Sequence, residues 1–433
     1  MDAMVEALTP IAYELAKARP RTDALFELVP QELLYARTIP ERHRLAFYLG
    51  HVDAFDANLL LGDAAGLQPS FKALSRRFAF GIDPVGGNLP NEAAHDWPPI
   101  ADIRRYVAEA RSRIDDWLPR AQGLIDGVPV ATLLHTAIEH RLMHAETLAY
   151  LINRLPIAKP LRAVPLGRRQ PPEEMVPVPA GIAILGAGGD EAFAWDNERP
   201  GCQEEVPAFA IDRCMVTNGQ FLRFMAAGGY AEPRWWQPAD WQWRSHQNVS
   251  HPASWRPAGG EWQLVSAFDL VPFQADWPVY VSHAEAAAYA AWAGKQLPSE
   301  AQWHRAAYGT PTGEERPFPW GREPPAENHG NFDFQRWDPQ AVDAHPAGTS
   351  AFGVTGLLGN GWEWTRTPFA PFPGFSPFAF YRGYSADFFD GRHFVLKGGS
   401  AHTAVRLLRR SFRNWFQAHY PYPFAGFRCV LNP

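Results

Sequence analysis

Two histidines four residues apart, His140 and His144, stand in the run H-R-L-M-H-A-E that ends at Glu146. In a helix, a spacing of four leaves two side chains about 40° apart on one face, so both imidazoles can reach one ion. His51, in the run YLGHVDAF, adds a third imidazole on a separate segment with helical apolar spacing. Three neutral imidazoles from facing helices can hold a metal ion in a bundle core and leave the opposite positions for water, substrate or dioxygen. Ligand softness admits iron(II), zinc, copper or nickel and does not choose among them. An H-x-x-x-H pair is also a common chance pattern on ordinary helices, and it is the third helical histidine that makes the metal reading worth carrying. His43, His135 and Asp53 are alternatives that suit surface or supporting roles, as does Glu146, which faces elsewhere on its helix.

The elements that must position these residues fall in the first 157 residues. Helical periodicity appears near 3–18 and over 41–62, 100–118 and 128–155, with Gly62 placed to end the second segment. Four such helices suffice for an antiparallel bundle. The connection at 63–99 is long, and its centre, FGIDPVGGNLPNEAAHDWPP, is dense in turn formers. Connections of that length in compact domains tend to be functional.

Prolines over 158–178 read as an extended linker, and residues 179–433 as a second domain of another kind. Of the 17 tryptophans, only Trp97 and Trp117 precede residue 176, a lopsidedness that one uniform fold would not produce. Short strands punctuated by Gly and Pro take over, with helices expected only at 216–228 and 283–294. At 433 residues, with 46% hydrophobic and 20% charged, the chain can bury sizeable cores and is not disordered. A net charge of -6 argues against nucleic acid or an anionic membrane as partner. Cys202, Cys214 and Cys429 are too few and scattered for a disulfide framework or zinc cluster. With no signal-like or membrane-spanning apolar run, the expectation is a soluble, cytoplasmic protein.

The run H-x-x-x-H-x-E late in a helical bundle, with an earlier His, resembles the non-haem iron sulfoxide synthases of ergothioneine biosynthesis. The second half agrees: QLPSEAQWHRAAYG (296–309), GNGWEWT (359–365), VLKGGSA (395–401), FRNWF (412–416) and AGFRCV (425–430) resemble the formylglycine-generating-enzyme fold. The resemblance implies an α+β chain, a DinB-like four-helix bundle followed by a C-type-lectin-like domain of that fold. It implies His51, His140 and His144 as ligands of Fe(II), with O2 as co-substrate. The substrate would be hercynine, the trimethylated betaine of histidine, whose quaternary ammonium suits an aromatic wall. Trp415 and the aromatics of 369–385 are candidates for that wall. By the same resemblance a tyrosine near the iron donates a proton, and Tyr381 or Tyr384 would carry this. Trp362, Glu363 and Trp364 read as scaffold, and the copper-binding cysteine pair of formylglycine-generating enzymes is absent.

The departures from that family cluster at the donor site. Its arginine-rich stretch becomes RRFAFGIDPVGGNLP, in which only Arg76 and Arg77 remain; its Arg-Asn-Trp-Asp becomes Arg413, Asn414, Trp415, Phe416; its Gly-Gly-Ser-Trp ends in Ala401; and a glutamine before the second helical His becomes Met143. Charged donor-binding groups are lost while the metal set stays. In this the chain resembles the selenoneine-forming subgroup, which joins selenium from a selenosugar to the hercynine imidazole. A neutral sugar would be gripped by groups such as Asp83, Asn88 or Asn91. The alternatives are a C–S-forming sulfoxide synthase using cysteine or γ-glutamylcysteine, a metal-dependent DinB-type thiol transferase, and a non-catalytic lectin-like binding module.

Overall fold

The computed structural model describes residues 2–62, 69–79, 91–165, 167, 171–189 and 191–432. The chain divides into two compact units, Met1–Ile157 and Ala158–Pro433.

The first unit holds four long helices: α1 (Asp2–Glu27), α2 (Leu45–Leu61), α4 (Ile100–Trp117) and α5 (Val130–Asn153). A shorter α3 spans Pro69–Arg77. A two-residue hairpin, β1 (Leu124–Ile125) with β2 (Val128–Pro129), leads into α5. Helix α1 runs well past the expected 3–18, through Pro10 and Pro20. Proline removes one backbone donor and usually breaks a helix, but α1 packs along α5 and tertiary contact carries it onward. Helix α2 packs against both α4 and α5 and ends at Gly62, whose φ of 68° lies in the region glycine favours. Almost every residue of α5 from Leu133 to Asn153 is buried, the mark of a helix enclosed on all sides rather than amphipathic. A polar residue on α5 is therefore held away from water and must find partners inside the bundle.

The second unit begins with the proline-rich segment read as a linker. Leu161 bridges Leu270, Arg162 pairs with Asp269 and Asp338, and β3 (Met175–Val178) is a sheet strand. The next strands are β4 (Gly181–Leu185), β5 (Cys202–Val206) and β6 (Phe209–Asp212); β4 pairs with β5 and β3 with β6. Strands β7 (Trp255–Ala258), β8 (Glu261–Val265) and β9 (Leu270–Pro272) form an antiparallel meander. The central sheet takes β10 (Gly361–Pro368), β11 (His393–Gly399), β12 (Asn414–Gln417) and β13 (Ala425–Gly426) in the order β12-β11-β10-β13. The last strand, β14 (Val430–Leu431), pairs with β6.

The two expected helices form as α6 (Asn218–Ala226) and α8 (His283–Trp292), and two unexpected ones join them, α7 (Pro238–His246) and α9 (Glu300–Tyr308). The signal for α9 was present in S-E-A-Q: Ser299 caps the Gln302 amide while the Gln302 side chain returns to the Ser299 amide. Trp303 of α9 and Glu363 of β10 are buried at the core, where Glu363 accepts from Trp303 Nε1 at 2.9 Å and pairs with Arg428 at 2.6 Å. The GNGWEWT and AGFRCV motifs thus meet in one buried ion pair, and Trp364 donates to Val281 O at 2.9 Å.

Candidate metal centre

His51 lies at the middle of α2, and His140 and His144 lie one turn apart on α5. Because α2 packs against α5, the three imidazoles meet: one ring nitrogen from each lies within 4.8 Å of the others, and all three residues are buried. Among the described residues this is the one group of three or more His, Cys, Asp or Glu side chains so arranged. The His140 and His144 Nε2 atoms face each other at 3.1 Å. Two nitrogens each about 2.1 Å from one ion and subtending 90–110° would be about 3.0–3.4 Å apart, so the pair already stands at ligand spacing.

His51 is oriented by its second nitrogen. Its Nδ1–H donates to the carbonyl of Phe78 at 2.7 Å, which leaves the Nε2 lone pair for an ion. Phe47 stacks on His51 at 4.7 Å between centroids and Phe55 on His140 at 3.5 Å. These apolar faces explain the electrostatics. Burial lowers the His51 pKa to about 4 against the Phe78 hydrogen bond, and burial with its histidine neighbours holds His140 well below the usual range. Burial and His51 do the same to His144. All three rings are neutral at pH 7, the form that donates to a metal. The donor set fits a first-row divalent ion held on one face by three imidazoles.

Around the triad lies a layer of charge that the histidine pattern did not reveal. Arg141 of α5, fully buried, reaches Asp53 Oδ1 at 2.7 Å and Asp56 Oδ2 at 2.5 Å on α2, and donates to Thr22 Oγ1 of α1 at 3.1 Å. Arg111 of α4 grips Asp53 at 2.8 Å and Asp23 at 2.7 Å. Burial pushes the Asp53 carboxyl up, but the two arginines outweigh it and the net shift is downward. Asp56 is raised to about 6, because burial and the neighbouring Asp53 outweigh the pull of Arg141 and Arg19. The sequence did carry a signal: two acids three apart in apolar surroundings, HVDAFDAN, and an arginine inside an apolar helix demand partners.

The other expected residues are more dispersed. His43 pairs with Glu92 at 3.2 Å rather than joining the triad, and Asp53 belongs to the arginine network. Met143 is half-buried on α5 beside His144. Arg77 packs over Trp97 and donates to Asp96 O, a local contact. Asn91 is exposed, and Asp83 and Asn88 lie outside the described residues.

In the second unit, Trp415 stacks on Phe369 at 4.2 Å and 6°, and meets Tyr384 edge-on at 5.4 Å. Tyr384 is buried and stacks on Trp195 at 3.9 Å; Tyr381 is half-buried, 5.5 Å from Tyr384. The loop bearing both tyrosines is tied to Asp196, which accepts from Ser385 Oγ at 2.7 Å. Trp415 and Phe416 are adjacent on β12 and so present opposite faces; Phe416 stacks instead on Tyr420 at 5.3 Å. Asn414 accepts from the Trp415 amide at 2.9 Å, and its side chain shares the Phe416 face. Trp415, Phe416 and Asn414 therefore do not line one surface together. Arg413 is buried against Glu300 at 3.0 Å and is a scaffold residue.

Comparison with known proteins accords with both units. Residues 162–433 match the sulfatase-modifying factor enzyme 1-like domain, and residues 14–148 match the DinB superfamily. The chain is 36% identical to a protein of Mycobacterium tuberculosis named hercynine oxygenase, over 98% of both chains. It is 39% identical to the hercynine oxygenase of Mycolicibacterium thermoresistibile over 77% of this chain and 75% of that one. It is 29% identical to ergothioneine biosynthesis protein 1 of Neurospora crassa, over 94% of this chain and 56% of that longer one.

Proposed function

This chain belongs to the hercynine oxygenase family, a DinB-superfamily bundle ahead of a sulfatase-modifying factor enzyme 1-like domain, and on that footing we propose that it joins a chalcogen donor to the imidazole of hercynine. It is an oxidative enzyme. The observation that carries the reading is the convergence of three buried, neutral imidazoles, two of them 3.1 Å apart, in a chain of this family.

His51, His140 and His144 would hold Fe(II), which when bound supplies the activation of O2. The chain's own residues do the rest. The Phe78 carbonyl fixes the His51 tautomer, and Phe47 and Phe55 exclude water from the rings. Trp415 offers its indole face to the trimethylammonium group. Tyr381 or Tyr384 delivers a proton; of the two, Tyr384 is the more enclosed, stacked on Trp195. Single Phe substitutions, scored by the product formed, separate them.

For the donor, the names of the relatives support a thiol and a C–S bond, as in an ergothioneine-type sulfoxide synthase. A second reading, a selenosugar donor and a C–Se bond, is favoured by Phe416 and Ala401, where amino-acid-binding members carry a carboxylate and an indole. Phe416 is stacked on Tyr420 and supplies no carboxylate to pair with a donor's ammonium group. The test is a competition: enzyme with Fe(II), hercynine and O2 is given selenosugar, thiosugar, cysteine and γ-glutamylcysteine together, and products are identified by mass. Preference for cysteine or γ-glutamylcysteine sinks the selenium reading; no product from hercynine with any donor sinks the proposal.

A further inference from the structure

We infer that Arg141 is a positioning residue for the histidine triad, acting through its clamp on Asp53 and Asp56. The inference rests on the metal reading of that triad and deepens it.

Three observations carry it. First, the clamp is interleaved with the ligands. Arg141 directly follows His140 and precedes His144 by three residues, while Asp53 follows His51 by two and Asp56 by five. At about 1.5 Å of rise per residue, clamp and ligands occupy the same level of both helices. Second, the clamp crosses the same interface as the ligands. One guanidinium nitrogen, Nη2, spans Asp53 Oδ1 and Asp56 Oδ2, neighbours on one face of α2, while Nη1 takes Thr22 of α1. Third, it is sealed: Arg141, Asp53 and Asp56 are each no more than 1% exposed. Arg111 extends it, so that Asp53 receives guanidinium groups from both α4 and α5.

Apolar packing alone specifies helix register poorly, because ridges of Leu, Ala and Ile fit neighbouring grooves at similar energy. A slip of one residue moves a side chain about 1.5 Å along the axis and 100° around it. A metal tolerates errors of about 0.2 Å in its ligand distances. Buried ion pairs add little net stability, and their best-attested use is to specify register, since any other register leaves charges unpaired. The arrangement of α2 against α5 is thus fixed at the level where His51 must meet His140 and His144.

The conservative variant Arg141→Lys tests this, because an ammonium keeps the charge but lacks the planar fork that reaches two carboxylates and a hydroxyl at once. Co(II), as a spectroscopic probe, and anaerobic Fe(II) are titrated into the full-length protein, and thermal unfolding of the metal-free protein is followed alongside. Leu134→Ala on the same helix, at a fully buried apolar site outside the clamp, is the control for general destabilisation. The expected result is a loss of metal affinity of about 10–100-fold in Arg141→Lys with an altered Co(II) spectrum. Leu134→Ala should lower the unfolding temperature but keep the affinity within about twofold. Equal affinity losses in the two variants, or wild-type affinity in Arg141→Lys, overturn the inference. If Arg141→Lys does not fold, Asp56→Asn is measured in its place with the same criteria; failure of both to fold while Leu134→Ala folds assigns the clamp to stability alone and also overturns it. Wild-type protein that binds neither metal, unchanged by His140→Ala, instead refutes the metal reading itself.

Discussion

Gly50 faces the ring of Phe78 so closely that a Cβ at position 50 would lie 2.6 Å from three of its carbons. Phe78 is fully buried, stacked on Trp97 at 6.0 Å and tilted against Tyr106 at 5.7 Å, so the ring has nowhere to go. The backbone of that same residue accepts the proton of His51 Nδ1. A missing side chain on α2 thereby lets the carbonyl that orients His51, a proposed ligand, come within reach of it.

Gly50→Ala should therefore be harmful although alanine is the better helix former by about 1 kcal/mol. Overpacking a closed site costs about 1–3 kcal/mol, so the net effect is a modest loss of stability. The larger consequence is at the metal: a displaced Phe78 carbonyl frees His51 to rotate, and affinity should fall about tenfold. Calorimetric titration with Co(II) beside a denaturant unfolding curve checks both.

In the proposed centre, His140→Ala removes a ligand rather than a support. Metal affinity should drop by more than about 100-fold, beyond the range of an outer partner. Metal content after desalting, with turnover of hercynine measured in parallel, decides it. Retention of one equivalent of metal at unchanged affinity would refute the ligand set.

Phe416→Asp places a carboxylate at the position where the Arg-Asn-Trp-Asp run that this chain resembles would have one. A charge-assisted contact to a donor ammonium contributes about 1.5–3 kcal/mol, so the ratio of amino-acid thiol to selenosugar or thiosugar use should rise about tenfold or more. Competition kinetics on the variant measure that ratio. The lost stack on Tyr420 should cost some stability without affecting metal binding.

His402 gives the second unit an acid sensitivity. Its ring is buried among Phe334, Trp337 and Phe424, with neither nitrogen hydrogen-bonded among the described residues, and burial lowers its pKa to about 3. The folded value lies below the unfolded one of about 6.5, so the unfolded chain binds the proton first. Stability is whole above about pH 6.5 and is lost as the pH falls towards 3, by about 2 kcal/mol at pH 5. His402→Leu should flatten that dependence, seen as a smaller change in unfolding temperature between pH 7 and pH 5. An unchanged slope would show that other groups dominate.

The division of labour between the two halves is written in residue order alone. Histidine spacing is a helical quantity: four residues place two rings on one face whatever the fold, so His140 and His144 pair by their spacing. The skew of tryptophan and the Gly–Pro punctuation likewise separate a helical from an irregular region, because both are properties of local composition. Local signals also mislead where tertiary contact overrides them, as at Pro20, through which α1 continues against α5. That His51 comes from the facing helix to within 4.8 Å is a matter of packing, since the meeting depends on helix register and not on spacing. Packing also brings Arg141 to Asp53 and Asp56, 88 and 85 residues away, and sets the Phe78 carbonyl, 27 residues on, against His51. A backbone carbonyl has no residue type and so leaves no mark in a sequence. Likewise the opposite faces of Trp415 and Phe416 follow from β12 being a strand, which sends neighbouring side chains apart.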